Sequence, residues 1–108
     1  VKKLLIVGTV LCAFAIASAM SAYSKVFHDH YKVKDDSTLG KAACMTCHVS
    51  AKGGKLNPYG IDIQKAMDAK KAKKLTPEFL TKIEALDSDK DGVKNIDEIK
   101  KDSNPGVK

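Results

Sequence analysis

Residues 44 to 48 read CMTCH: two cysteines three apart, with a histidine directly after the second. Two thiols and an imidazole thus fall within little more than one helical turn. A chain that places them so closely turns all three toward one object. The rest of the chain is short enough for that object to decide the fold. The sequence has 108 residues and opens VKKLLIVGTVLCAFAIASAM. Two lysines precede an apolar run from Leu4 to Ala17, and Ala17-Ser18-Ala19 makes a small-residue A-x-A site. This layout predicts a secretory signal peptide over residues 1–19 and a periplasmic or extracellular destination. Cleavage after Ala19 suits the pattern better than cleavage after Ala22, which sets the large Met20 where a small residue belongs. An uncleaved anchor is the alternative, although the apolar stretch is short of the roughly 20 residues that span a bilayer. Cys12 lies inside this segment and is given no role.

Residues 20–108 then form one domain of 89 residues. A domain of that size buries only about 60–65% of its unfolded surface. It usually recruits a metal, a disulfide or a cofactor. The spacing C-x-x-C-H is that of c-type haem attachment. Each thiol adds to one vinyl group of the porphyrin edge, and the adjoining histidine offers its imidazole to the iron. Cys44 and Cys47 are therefore the expected anchors and His48 the expected iron ligand. The competing readings ask for more. A redox dithiol belongs with a βαβ pattern that is not visible. Structural zinc needs four ligands, and His30 would supply only the fourth. A plain disulfide between Cys44 and Cys47 is the remaining alternative.

The other segments read as short helices joined by loops. In SAYSKVFHDHYK, Tyr23, Val26, Phe27, His30 and Tyr31 recur at i, i+3, i+4, i+7 and i+8, one helical face. KAACMTCHVS is helix-compatible, and AKGGKLNPYG reads as a loop. IDIQKAMDAKKAKK is helical by propensity. Thr76-Pro77-Glu78 starts another helix, with threonine at the N-cap and proline at the first position. Its apolar stripe is Phe79, Leu80, Ile83 and Leu86. With no β alternation, the expectation is an all-α domain wrapped around one haem. Two residues are candidates for the second axial position of the iron: His30, on the apolar face of the first helix, and Met67, on that of the third. An open position is the third possibility. His28 lies off the apolar face and is expected to be exposed.

Residues 87 to 98 read DSDKDGVKNIDE. Acids fall at positions one, three, five and twelve, with glycine at six, which matches the calcium-loop pattern. The expected ligands are Asp87, Asp89, Asp91, the Val93 carbonyl, Asn95 at the position often served through water, and a bidentate Glu98. Position eight is Lys94, where paired EF-hands carry an apolar residue, and there is no second loop.

With CMTCH, the following GGKLNPYG (53–60) and this loop, the chain resembles small exported bacterial monohaem c-type cytochromes. Residues 86–106, ending Asn104-Pro105-Gly106, resemble single thrombospondin type 3-like and dockerin-like calcium segments. The resemblance implies electron transfer between redox partners and a structural ion. Every basic residue is lysine, and losing Lys2 and Lys3 lowers the net charge from +6 to +4. Without arginine forks, nucleic-acid binding is not expected. The lysines alternate with acids and read first as a solvated surface; the functional alternative is steering toward an acidic redox partner, for which Lys41, Lys52 and Lys55 flank the motif. No general acid, base or nucleophile is called for, so an enzyme is not expected. Two other functions are a haem sensor or peroxidase-like protein with an open iron position, and a calcium-dependent adhesion or assembly module whose haem is structural.

Overall fold

A computed structural model describes residues 22–108; the expected signal peptide falls outside the described residues. The first helix, α1, spans Ala22–Tyr31. A single turn, α2 (Thr38–Ala42), follows, and the Ser37 hydroxyl accepts from the Gly40 amide at 3.0 Å to cap it. Ala43, at φ +50°, breaks the helix and starts a tighter 3₁₀ turn over Ala43–Thr46. The chain then makes two strands, β1 (His48–Ser50) and β2 (Gly53–Leu56). Three helices complete it: α3 (Pro58–Ala69), α4 (Pro77–Lys82) and α5 (Asn95–Lys100).

The strands correct the all-α expectation. β1 and β2 pair antiparallel, with His48 opposite Leu56 and Ser50 opposite Gly53. Among the described residues the domain is a small mixed α/β globule, about half of it helical, with one two-stranded antiparallel sheet. The physical reason lies in Gly53 and Gly54, which sit at φ +86° and +78°. Neither conformation continues a helix; Ala51 and Lys52 make the turn, and the two glycines start the strand that returns along the residues after Cys47.

The stretch read as a loop also yields the start of α3. Asn57 caps it, its side-chain oxygen accepting from the Gly60 amide at 2.9 Å, and Pro58 takes the first helical position. This is the signature read correctly at Thr76-Pro77 and overlooked here. Thr76 in fact holds the N-cap of α4 without a capping side-chain bond.

The core lies where α1, α3 and α4 meet. Phe27, Tyr59, Ile63, Met67, Leu80 and Ile83 are all buried in it. Phe27 meets the Tyr59 ring edge-on at 6.1 Å. The Tyr31 hydroxyl donates to Glu84 at 2.8 Å and ties α1 to the segment after α4. Leu86, expected on the α4 stripe, is 46% exposed because the helix has ended before it. Among the described residues no helix is long and apolar enough to cross a membrane.

Candidate functional site

Cys44, Cys47 and His48 line one cavity. Its walls come from three directions. Tyr23, Ser24, Phe27 and His28 belong to α1, Gly60, Ile63, Gln64 and Met67 to α3, and Leu75 to the α3–α4 connection. Both cysteines are free thiols, half-buried. Burial, and then the neighbouring Cys44, push the Cys47 thiol up to about 12. Cys47 is thus held as a neutral thiol in the cavity wall.

The imidazole of His48 is oriented from outside the cavity. Its Nδ1 lies 2.9 Å from the Gly54 carbonyl oxygen. A carbonyl only accepts, so Nδ1 carries a proton, and in the neutral ring Nε2 is the nitrogen with the free lone pair. Ligating histidines are typically held in this way, with the second nitrogen donating to a carbonyl or carboxylate. The β-hairpin that the sequence did not announce is what brings Gly54 back to His48.

Asn57 fixes the backbone of the CMTCH turn. Its amide donates to the Cys47 carbonyl at 2.8 Å. Its side-chain nitrogen donates to the carbonyls of Met45 (3.1 Å) and Thr46 (3.0 Å). One buried residue thus binds three consecutive carbonyls of the motif. Gly60 approaches so closely that a Cβ there would collide with the Cys47 carbonyl, so α3 touches the motif backbone directly. Sequence reasoning missed both residues, and the Asn-Pro start of α3 was the available signal.

The two expected axial candidates part company. Met67 is buried and lines the cavity. His30 is not among the cavity residues, and its Nε2 lies 3.2 Å from the Thr81 hydroxyl. His28 lines the cavity in its place. The reason is the role of α1 as a wedge. Its Tyr31 side bonds to Glu84 and Leu80, which turns the edge bearing Tyr23, Ser24, Phe27 and His28 toward the cysteines.

The acidic loop forms a second site. Ligand oxygens from Asp87, Asp89, Asp91 and Glu98 lie within 4.8 Å of one another. Gly92, at φ +91°, allows the sharp bend. Asp87 accepts from the amides of Asp91 (3.2 Å) and Gly92 (2.8 Å), and Asp91 from that of Val93 (3.0 Å). Asp89 and Glu98 are each only 4% exposed. Both Asp89 oxygens and Oε1 of Glu98 have no hydrogen-bond donor. Buried carboxylates without donors are costly unless a cation or a proton serves them. Burial and then the charge of Asp89 raise Glu98 to about 7, and burial with the neighbouring Asp91 raises Asp89 as well. Burial pushes Asp87 up too, but the Gly92 and Asp91 amides outweigh it and hold that carboxyl below its ordinary value. Four acidic groups therefore converge on one point that suits a metal ion, calcium among the compatible ones.

Asn95 is turned elsewhere. It is fully buried, donates to the Ile83 carbonyl (3.0 Å) and the Ser88 hydroxyl (2.8 Å), and accepts from the Ser88 amide (3.1 Å). It braces the loop against the end of α4. Compared with protein-family models, curated proteins and solved structures, the chain matches none.

Proposed function

We propose that this chain is an exported electron carrier. One c-type haem is bonded through Cys44 and Cys47 and ligated by His48, and a structural calcium ion is held by Asp87, Asp89, Asp91 and Glu98. The observation that carries the reading is the convergence of both thiols and His48 on one largely apolar cavity, with Nε2 of that histidine left available by the Gly54 contact. When bound, the haem supplies a one-electron couple whose potential depends on the second axial group and on burial.

The chain's own residues do the rest. Asn57 and Gly60 hold the attachment turn, and the Gly54 carbonyl fixes the His48 tautomer. Phe27, Ile63 and Leu75 exclude water from the cavity walls. Met67 and His28 are the cavity residues with a side chain suited to the second axial position. Lys41, Lys52 and Lys55 are all exposed, which suits docking to an acidic redox partner.

The test is maturation of the full chain in a host with c-type haem machinery, followed by intact mass and reduced absorption spectra. The expected result is one added haem that survives acid extraction. Met67→Ala, His28→Ala and His30→Ala variants then assign the second axial group by magnetic circular dichroism, with His30→Ala leaving the spectrum unchanged. A chain that leaves such a host with its mass unaltered overturns the proposal.

A further inference from the structure

The tail that follows the acidic loop runs back to the attachment turn. Glu98 sits in the first turn of α5, and the residues just past that helix are fastened in three places. Asp102 accepts from the amides of Thr38 (2.8 Å) and Leu39 (2.9 Å), at the start of α2. Asn104 donates to the Met45 carbonyl at 2.9 Å, inside CMTCH itself. Pro105 is fully buried, and Gly106 lies against the side chain of Asn57, the residue that binds the Met45 and Thr46 carbonyls. A second link leaves the loop from its other end. The Ser88 hydroxyl donates to Asp62 on α3 at 2.6 Å, and α3 forms one wall of the cysteine cavity.

We propose that cation binding in the acidic loop and the order of the CMTCH turn are coupled through these two links. The inference rests on the functional reading above, because it joins its two sites. The physical cause is local. Asp89 and Glu98 are buried with oxygens that no donor satisfies. A divalent cation draws Glu98 toward Asp87, Asp89 and Asp91 and fixes α5 against the loop. Fixing α5 positions Asp102, Asn104 and Pro105. Without the ion, the clustered acids lack a shared partner, α5 is held less firmly, and the hydrogen bonds to Leu39 and Met45 open more often. Binding and order are reciprocal, so a filled cysteine cavity also raises calcium affinity.

Amide hydrogen exchange on the full chain tests this, with calcium chloride as the probe and a chelator as its opposite. The amides to follow are Leu39, Cys47, Asn57 and Gly60, which donate to Asp102, Cys44, Cys47 and Asn57. Calcium is expected to slow their exchange by about tenfold, within the usual range of coupling between sites. In Asn104→Ala, whose change is at a half-exposed residue away from the ion, calcium still binds but protects Cys47 and Asn57 less. Calorimetry run alongside separates the outcomes. Calcium uptake with unchanged exchange at these amides overturns the coupling and leaves both sites standing. Absence of calcium uptake overturns the cation reading and the coupling with it. A chain that leaves a host with c-type haem machinery without haem, yet shows the calcium-dependent protection, sinks the electron-carrier reading while the coupling holds.

Discussion

The acidic loop and the cysteine cavity differ in where their geometry is written. In the loop, every acidic group lies within twelve consecutive residues, and the bend is set by Gly92 among them. The chain needs only local backbone conformation to bring the carboxylates together. In the cavity, three groups come from one pentapeptide but the walls come from α1, α3 and the α3–α4 connection. That site exists only once the core has formed. The loop is a device the chain carries with it, whereas the cavity is a product of the whole fold. The two regions should therefore respond differently when each is damaged.

The largest effect is expected at the cavity. If the proposed haem is bonded there, replacing both Cys44 and Cys47 with alanine should abolish it entirely, read as the loss of the added mass. Far-ultraviolet circular dichroism should fall too, because so small a domain depends on such additions to its core. If the double variant keeps its helical signal and its melting point, the cavity is an ordinary core and the contrast with the loop disappears. Removing calcium should act less severely. At a hundredfold excess over its dissociation constant, a ligand bound only to the native state adds about 2.7 kcal/mol. For a domain of this size that corresponds to roughly 10–20 °C in melting temperature. Asp89→Asn in calcium should melt like the unmodified chain in chelator, with the haem still attached.

How much of each site was legible follows the same division. Asp87, Asp89, Asp91 and Glu98 were readable from spacing alone, and they converge. Asn95 matched the same spacing, but Ile83 and Ser88 claim its side chain, a tertiary demand that no loop pattern encodes. Cys44, Cys47 and His48 were readable, and they share a cavity. Which histidine of the first helix lines the cavity was not readable. Periodicity located the apolar face of α1 correctly, since Phe27 is buried. It carried no information on which edge of that face α4 would occupy, and so His30 was expected where His28 stands. The sheet escaped notice because strands of three and four residues are too short to show alternation. Its signal was the pair Gly53-Gly54, read only as a loop.

Asn57 sharpens the comparison from the cavity side. Asn57→Ala removes a helix cap and two side-chain hydrogen bonds to the motif. The cap alone costs about 1 kcal/mol, and an orphaned buried carbonyl adds roughly 1–3 kcal/mol. Urea denaturation should register a loss of about 2–4 kcal/mol in either the presence or the absence of calcium. A loss seen only in chelator would mean that the loop, not the cavity, carries the CMTCH turn.

The smallest effect is the pH response of the loop, and its sign is diagnostic. Glu98 is raised from its ordinary 4.5 to about 7 by burial and by Asp89. In the metal-free chain the folded state thus holds a proton that the unfolded state gives up. Its contribution to stability is complete below pH 4.5 and disappears as pH rises through about 7, since stability falls wherever the native state binds more protons. Asp102 acts in the opposite sense and in a lower window. The Leu39 and Thr38 amides hold its carboxyl below the ordinary value, so its contribution is present above that range and is lost as pH falls through it. Thermal melts in chelator should therefore be higher near pH 5 than near pH 8. Excess calcium should reverse the slope, because the ion displaces the Glu98 proton and binds more tightly as pH rises. Glu98→Gln should flatten the chelator profile between these limits. A profile that keeps its slope in that variant would assign the titration to Asp89, the other buried carboxylate of the loop.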